Sequence, residues 1–344
     1  MSTEETLNES PQEQVPPTPE APIADGPELA VLPVMEAADA IRDQIGRVLI
    51  GQDELVTHLL TGLFAGGHML LEGVPGIAKT LTAKLLAKTM QLDYSRIQFT
   101  PDLMPSDVTG TSVFNLKTSE FTFNRGPIFA NVVLIDEINR APAKTQAALF
   151  EVMEEQQITV DGTTYSLASP FIVLATQNPI EQEGTYRLPE AQLDRFLFRI
   201  RIDYPNLEQE IAILGRFRDD FSKKFMEQLT AVLNPSQIAH IRQLVENVHI
   251  KDELLGYIAR IVYQTRNDSD LFLGASPRAS LAILRASKAF AAINGRSFVI
   301  PDDIRHVAIP VLNHRIQLSP EREMEGLDSV QVIQRILQQT EVPR

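Results

Sequence analysis

"EGVPGIAKT", Glu72 to Thr80, directly follows the apolar run "HMLL" and decides how the rest of the chain is read. In a phosphate-binding loop, glycines let backbone N–H groups turn inward on an anion. A lysine neutralises the terminal phosphate oxygens, and the hydroxyl after it holds Mg²⁺. Here Gly73 and Gly76 bend the loop around Pro75, Lys79 supplies the charge, and Thr80 supplies the hydroxyl. "LTAKLLAKTM" continues from Leu81 as a helix whose N-terminus points at the anion. One position departs from the usual pattern, because Ala78 stands where glycine commonly precedes the lysine. If Ala78 is already the first helical residue, after Ile77, right-handed angles suit it and glycine is not needed there.

Outward from the loop, five short apolar runs alternate with helical segments: "HMLLEG", "RIQFT", "VVLIDE", "FIVLAT" and "FLFRIRIDY". Runs that are apolar on both faces read as buried strands of a parallel sheet. They predict an α/β domain over residues 34–205. Two segments, "TSVFNLKTSEFTFNRGP" and "QQITVDGTTYSL", alternate about a turn and read as inserted β-hairpins, the second marked by Asp161-Gly162. From residue 206 to 344 the chain reads as a second, all-helical domain.

Strand ends carry the remaining candidates. "VVLIDEINR" delivers Asp136 and Glu137 to the carboxyl end of a strand, where open α/β sheets bind ligands. Asp136 suits Mg²⁺, and Glu137 suits orienting or deprotonating a water. "FIVLATQNP" ends in Thr176, Gln177 and Asn178, either a polar reach toward a phosphate or turn residues before Pro179. Arg195 in "LPEAQLDRF" is a salt-bridged surface residue or a cation donated to a neighbouring subunit. In "GASPRASLAIL", Ser276 reads as N-cap and Pro277 as the first helical residue, so Arg278 sits in the first turn and opposes the helix dipole. That placement makes sense if Arg278 faces an anion such as a γ-phosphate presented by the first domain. Asp302 and Asp303 fit first-turn dipole complements, and the six histidines show no metal-ligand spacing.

Composition narrows the classes. The formal charge is −14, and half of that excess lies in Glu4, Glu5, Glu9, Glu13, Glu20, Asp25 and Glu28. Residues 1–33 hold no lysine or arginine and many prolines, so a disordered acidic tail is expected there. An acidic body argues against a nucleic-acid partner. No cysteine is present, which removes disulfides and thiol chemistry. No apolar run is long enough for direct membrane insertion and no secretory leader is evident, so a cytoplasmic protein is expected.

The ordered set "GVPGIAKT", "LIDEINRAPAKTQAALFEVMEE", "ATQNPIEQEGTYRLPEAQLDRF" and "SPRAS" resembles the MoxR family of AAA+ ATPases, over about Val34 to Ile316. Alanine before the lysine is usual in that family. The resemblance implies an AAA+ P-loop domain with a five-stranded parallel sheet in the order 5-1-4-3-2, two hairpin inserts and a helical lid. It implies ATP and Mg²⁺ as ligands, with Gly73, Pro75, Gly76, Ile77, Ala78, Lys79, Thr80 and Leu81 around the phosphates. Ile50, Gly51 and Gln52 begin the adenine pocket. Thr80 and Asp136 serve the metal, Glu137 activates water, Asn178 matches sensor 1 and Arg278 matches sensor 2. Arg195 matches the arginine finger, with Arg187 as the alternative. The family also implies a homo-oligomeric ring, commonly hexameric. Its work is chaperone-like remodelling of a client with a partner bearing a von Willebrand factor A (VWA) domain. A nucleic-acid translocase and a magnesium-chelatase-like motor are the alternatives.

Overall fold

The computed structural model describes residues 29–343 apart from 75, 118, 179–185, 187 and 219–226. Pro75, Arg187 and nearly all of the acidic tail therefore lie outside the described residues. The helix expected from Val34 begins slightly earlier: α1 spans Leu32–Gly46, preceded by a 3-10 turn at Leu29–Val31. Val34, Ala37, Ala38, Ile41 and Ile45 are all buried on its inner face. α2 (Asp53–Phe64) follows, with Asp53 and Glu54 in its first turn as the dipole favours.

Among the described residues, nine strands follow in the first domain. Those of the central sheet are β1 (His68–Glu72), β2 (Tyr94–Gln98), β5 (Val132–Asp136), β8 (Ile172–Gln177) and β9 (Phe196–Arg201). All four pairings are parallel, in the order β2-β5-β8-β1-β9. Counted by sequence this is 5-1-4-3-2 read from the β9 edge, as the family likeness implies.

The apolar runs are continuous because the sheet is covered on both faces. Successive side chains alternate between two cores: Met69, Leu71, Val132, Leu134, Ile172 and Leu174 enter one, and Leu70, Val133, Ile135, Val173 and Ala175 enter the other. The first core takes α1, α2 and α3 (Lys79–Thr89) and runs on without interruption into the second domain. The second core takes α4 (Pro105–Thr109) and α5 (Ala143–Glu155).

Both inserts are hairpins. β3 (Gly110–Asn115) pairs antiparallel with β4 (Glu120–Arg125), and β6 (Gln157–Val160) with β7 (Thr163–Ser166). Asp161 and Gly162 have φ of 50° and 77°, the double positive φ that a two-residue hairpin turn requires. Phe123 of the first hairpin stacks on Tyr165 of the second at 4.5 Å, so the inserts touch.

α6 (Glu190–Leu193) leads into β9, and α7 (Leu207–Phe217) opens the second domain. Its main helices are α8 (Pro235–Glu246), α9 (Asp252–Asn267), α10 (Pro277–Ile293) and α11 (Pro301–Leu312). Two features were not legible beforehand: α12 (Pro320–Met324) and α13 (Ser329–Gln339) close the chain, and β10 (Leu271–Leu273) pairs with β11 (Gln317–Leu318). Asp303 does more than complement a dipole. It is buried, accepts from the Ile300 N–H, and forms a two-point pair with Arg296 at 2.6 Å on each oxygen.

Candidate nucleotide site and a separate arginine cluster

The phosphate loop delivers Lys79 as the first residue of α3, and Ala78 is the N-cap with φ 61° and ψ 17°. This corrects the expectation that Ala78 begins the helix with right-handed angles. It takes the left-handed region, which costs an L residue about 1–2 kcal/mol. Gly76, at φ 87°, has open space where a Cβ would stand, so its backbone is exposed to the cleft. The Lys79 ammonium donates to the Gly73 carbonyl at 2.5 Å.

The loop faces the carboxyl ends of β2, β5 and β8 across a cleft of about 390 Å³. Gly76, Ala78, Lys79, Thr80, Leu81, Asp136, Glu137, Thr176 and Asn178 line it. So do Arg96 and Gln98, which sequence reasoning missed. Their signal was period-two spacing on β2, which puts both side chains on one face beside the end of β5.

Asp136 is 7% exposed, and both oxygens are engaged. Arg96 Nε donates to Oδ2 at 2.6 Å, and the Thr176 hydroxyl donates to Oδ1 at 3.1 Å. Thr176 Oγ1 in turn accepts the Glu137 N–H at 3.0 Å, fixing the two carboxylates relative to β8. Glu137 has φ 59°, a second left-handed non-glycine residue on the same cleft. Strain of this kind persists where surroundings over-determine the conformation, commonly at functional sites. Glu137 Oε2 accepts from Gln98 Nε2 at 2.8 Å and pairs with Arg140 at 3.1 Å. Behind this constellation, burial and the Asp136 charge push the Tyr94 phenol up to about 12.

A more apolar cleft of about 320 Å³ adjoins the loop, sharing Gly76, Ala78 and Leu81 with the first. Ile50, Gln52 and Ile77 line it, joined by Val48, Tyr204, Pro205 and Ile213. The last three belong to the connection into the second domain and to α7, and no motif announces them. Gly51 (φ 71°) lies just behind, its carbonyl accepting from Gln209 Nε2 of α7 at 3.3 Å. A planar, largely apolar group fits this cleft while its charged end reaches the loop.

Arg195 and Arg278 are not in that cleft. They line a separate cavity of about 380 Å³, with His68 and Leu197 from the amino-terminal ends of β1 and β9. β1 alone separates the two ends of the sheet by about 13 Å, at roughly 3.3 Å per residue. Arg195 Nη2 pairs with Glu154 Oε2 at 2.8 Å, and Arg278 Nη2 with Glu154 Oε1 at 3.2 Å. The expectation that Arg278 faces a phosphate held by its own first domain is therefore corrected. Its helix start is as read, with Ser276 at the N-cap and Pro277 first, but the turn opens on Glu154. Arg315, buried with Asp194 at 2.6 Å, fastens the second domain to the start of β9 beside this cavity.

Among the described residues, no group of three or more His, Cys, Asp or Glu could hold a metal ion by itself. The oxygens of Thr80 and Asp136 in one cleft fit Mg²⁺ that arrives with phosphates, since this ion takes one or two protein oxygens and completes its shell otherwise. Among the same residues, no helix is long and apolar enough to cross a membrane.

Comparison with known proteins agrees with this architecture. Residues 68–198 match the model of the ATPase family associated with various cellular activities (AAA), and residues 263–336 match an AAA lid domain. The uncharacterized protein YeaC of Bacillus subtilis is 46% identical over 301 residues, 88% of this chain and 93% of that protein. Chaperone MoxR1 of Mycobacterium tuberculosis is 42% identical over 310 residues, covering 88% and 81%. A crystal structure from Cytophaga hutchinsonii superposes with a TM-score of 0.85 at 43% identity, covering 92% of this chain and 98% of that one. With identities above 40% along nearly nine-tenths of its length, and a five-stranded parallel sheet beside a helical lid, the chain belongs to the MoxR-type AAA+ ATPases.

Proposed function

We propose that this protein hydrolyses ATP to ADP and phosphate in a hexameric ring, and that the energy remodels a client protein in concert with a VWA-domain partner. The observation that carries the enzymatic part is the cleft itself. Lys79, Thr80, Asp136, Glu137 and Asn178, from three separate segments, converge at the carboxyl edge of the sheet beside an apolar slot suited to a purine. Lys79 and the loop amides neutralise the phosphates. Thr80 and Asp136 would hold Mg²⁺, which when bound would supply positive charge to the phosphates. Glu137 takes the proton of a water whose oxygen attacks the γ-phosphorus, as the bond to the β–γ bridging oxygen breaks and ADP leaves. Asn178 orients that water.

Arg195 and Arg278 complete the neighbouring protomer's site. Support comes from their position: both are held at the far end of the sheet, away from their own phosphate loop. A head-to-tail contact, with one protomer's cleft against the next protomer's arginines, closes into a ring.

The inserts support a protein client. The first hairpin exposes Leu116 at 86% and Phe121 at 73% to water, with Lys117 and Arg125 as its basic residues, and the second hairpin has none. A strand-tracking pore would present more cationic charge. The stack of Phe123 on Tyr165 joins the two inserts.

Tagged Glu137→Gln protein tests this reading, since it should bind ATP and retain its client. Incubated with cell lysate and Mg-ATP, it should capture a VWA-domain protein that the Lys79→Ala control does not. Capture of nuclease-sensitive nucleic acid without such a partner would overturn the remodelling reading in favour of a translocase.

A further inference from the structure

The arginine cavity contains one acidic residue whose geometry exceeds what a surface ion pair needs. Phe150 and Glu154 lie four residues apart on α5 and so share one face of the helix. Both hold Arg195: its guanidinium lies 5.9 Å from the Phe150 ring centroid, and Nη2 is 2.8 Å from Glu154 Oε2. Arg195 Nε is buried, and among the described residues it has no hydrogen-bond partner. The other oxygen of the same carboxylate takes Arg278 Nη2 at 3.2 Å from the lid helix α10. One carboxylate thus ties together two cations contributed by two domains.

We propose that Glu154 is a positioning residue that gathers Arg195 and Arg278 into a single cationic unit for presentation to the neighbouring protomer's phosphates. The proposal rests on the reading that these arginines act in the neighbour's site. Each guanidinium carries five N–H donors, and Glu154 engages one nitrogen of each, so most of their donors stay available to phosphate oxygens. Without the carboxylate, the two cations repel, and Arg278, on a lid helix and 59% exposed, loses its tether. The pairs are open to water, with Glu154 at 41% exposure, so their contribution to folding stability is small. Loss of Glu154 should therefore appear in turnover rather than in stability.

Subunit mixing separates this from the reading beneath it. Arg195→Ala subunits have an intact cleft and no donated finger, and Lys79→Ala subunits have the reverse. Mixing the two should restore ATP hydrolysis, because the second donates to the first. A Lys79→Ala/Glu154→Gln donor should restore about tenfold less, with the KM for ATP within about twofold. A Lys79→Ala/Glu154→Asp donor should recover part of the difference, and thermal melting should be unchanged in both. If the Glu154→Gln donor restores hydrolysis as fully as the Lys79→Ala donor, the positioning role is overturned while the shared site stands. If neither donor restores hydrolysis, the shared site fails and the proposal fails with it. Should Glu154→Gln lower the melting temperature, the Glu154→Asp donor decides: partial recovery sustains the proposal, and full recovery overturns it.

Discussion

The two ends of the central sheet are built in opposite ways. At the carboxyl end, a strained loop, two carboxylates and one lysine are fixed by short-range geometry. Asp136, Thr176 and Glu137 bond in series, and Ala78 and Glu137 both take left-handed backbone. At the amino end, arginines from two domains meet on one carboxylate in a water-accessible cavity. In the function proposed here, the first end holds an anion and a metal, and the second presents cations outward. On the proposed reading, a protomer with both carries each half of a site without bringing the halves together itself, the form a ring of identical subunits requires.

Removing the cleft's charges should have the largest effect. Lys79→Ala should abolish ATP binding and hydrolysis together, measured by nucleotide titration and phosphate release. Glu137→Gln should keep binding while cutting turnover by about 10²–10⁴, as loss of a general base does. The comparison breaks if either variant hydrolyses ATP at the wild-type rate. At the far end, Arg195→Ala should lower turnover by about 10³ and leave ATP affinity within a few-fold, the mark of a cation that acts on the transition state. Loss of ATP affinity in that variant would instead place Arg195 in its own protomer's cleft.

How much of this was legible in the sequence follows from the same contrast. The phosphate loop and the Asp136-Glu137 strand end are contiguous motifs set in strand–loop–helix context, so their meeting could be read directly. The strand order came from family likeness, since nothing in a parallel strand names its neighbour. Arg96 and Gln98 escaped because an exposed arginine or glutamine on a strand has no motif, and only pairing with β5 brings them to the carboxylates. Glu154 escaped because its partners lie 41 and 124 residues further on, one in the lid. Ala78 was misjudged because alanine's freedom to be helical says nothing about where the helix begins. The loop, rather than the propensity, places Lys79 at the first helical position.

The frame shared by the two ends should also depend on pH. Burial pushes His58 and His68 down to about 4, and neither carries charge in the folded protein at neutral pH. Above pH 6.5 these imidazoles are neutral in both states and cost nothing. As pH falls from 6.5 toward 4, the unfolded chain binds protons that the folded chain does not, so stability is lost across that window. Each histidine stands to remove about 3 kcal/mol by pH 4. Thermal melts between pH 7 and 4 check this, and His58→Leu should remove only part of the slope, because burial lowers His306 and His314 as well. A flat profile would mean that the imidazoles are reached by water in the folded state.

The smallest effect concerns Ala78. Glycine there relieves about 1–2 kcal/mol of left-handed strain and costs about 0.5–1 kcal/mol of unfolded-state entropy. Ala78→Gly should therefore raise the melting temperature by about 2 °C. A lowered melting temperature would show that the left-handed angle is not strained in this loop.

The most direct test of the account is turnover per protomer, measured against protein concentration for the wild type and for Arg195→Ala. With the two ends completing each other across a subunit boundary, wild-type turnover should rise steeply as protomers associate, and Arg195→Ala should stay near its low baseline at every concentration. Turnover that is independent of concentration and undiminished in Arg195→Ala would mean that the cleft is complete within one chain, and the division of labour between the two ends of the sheet would fall.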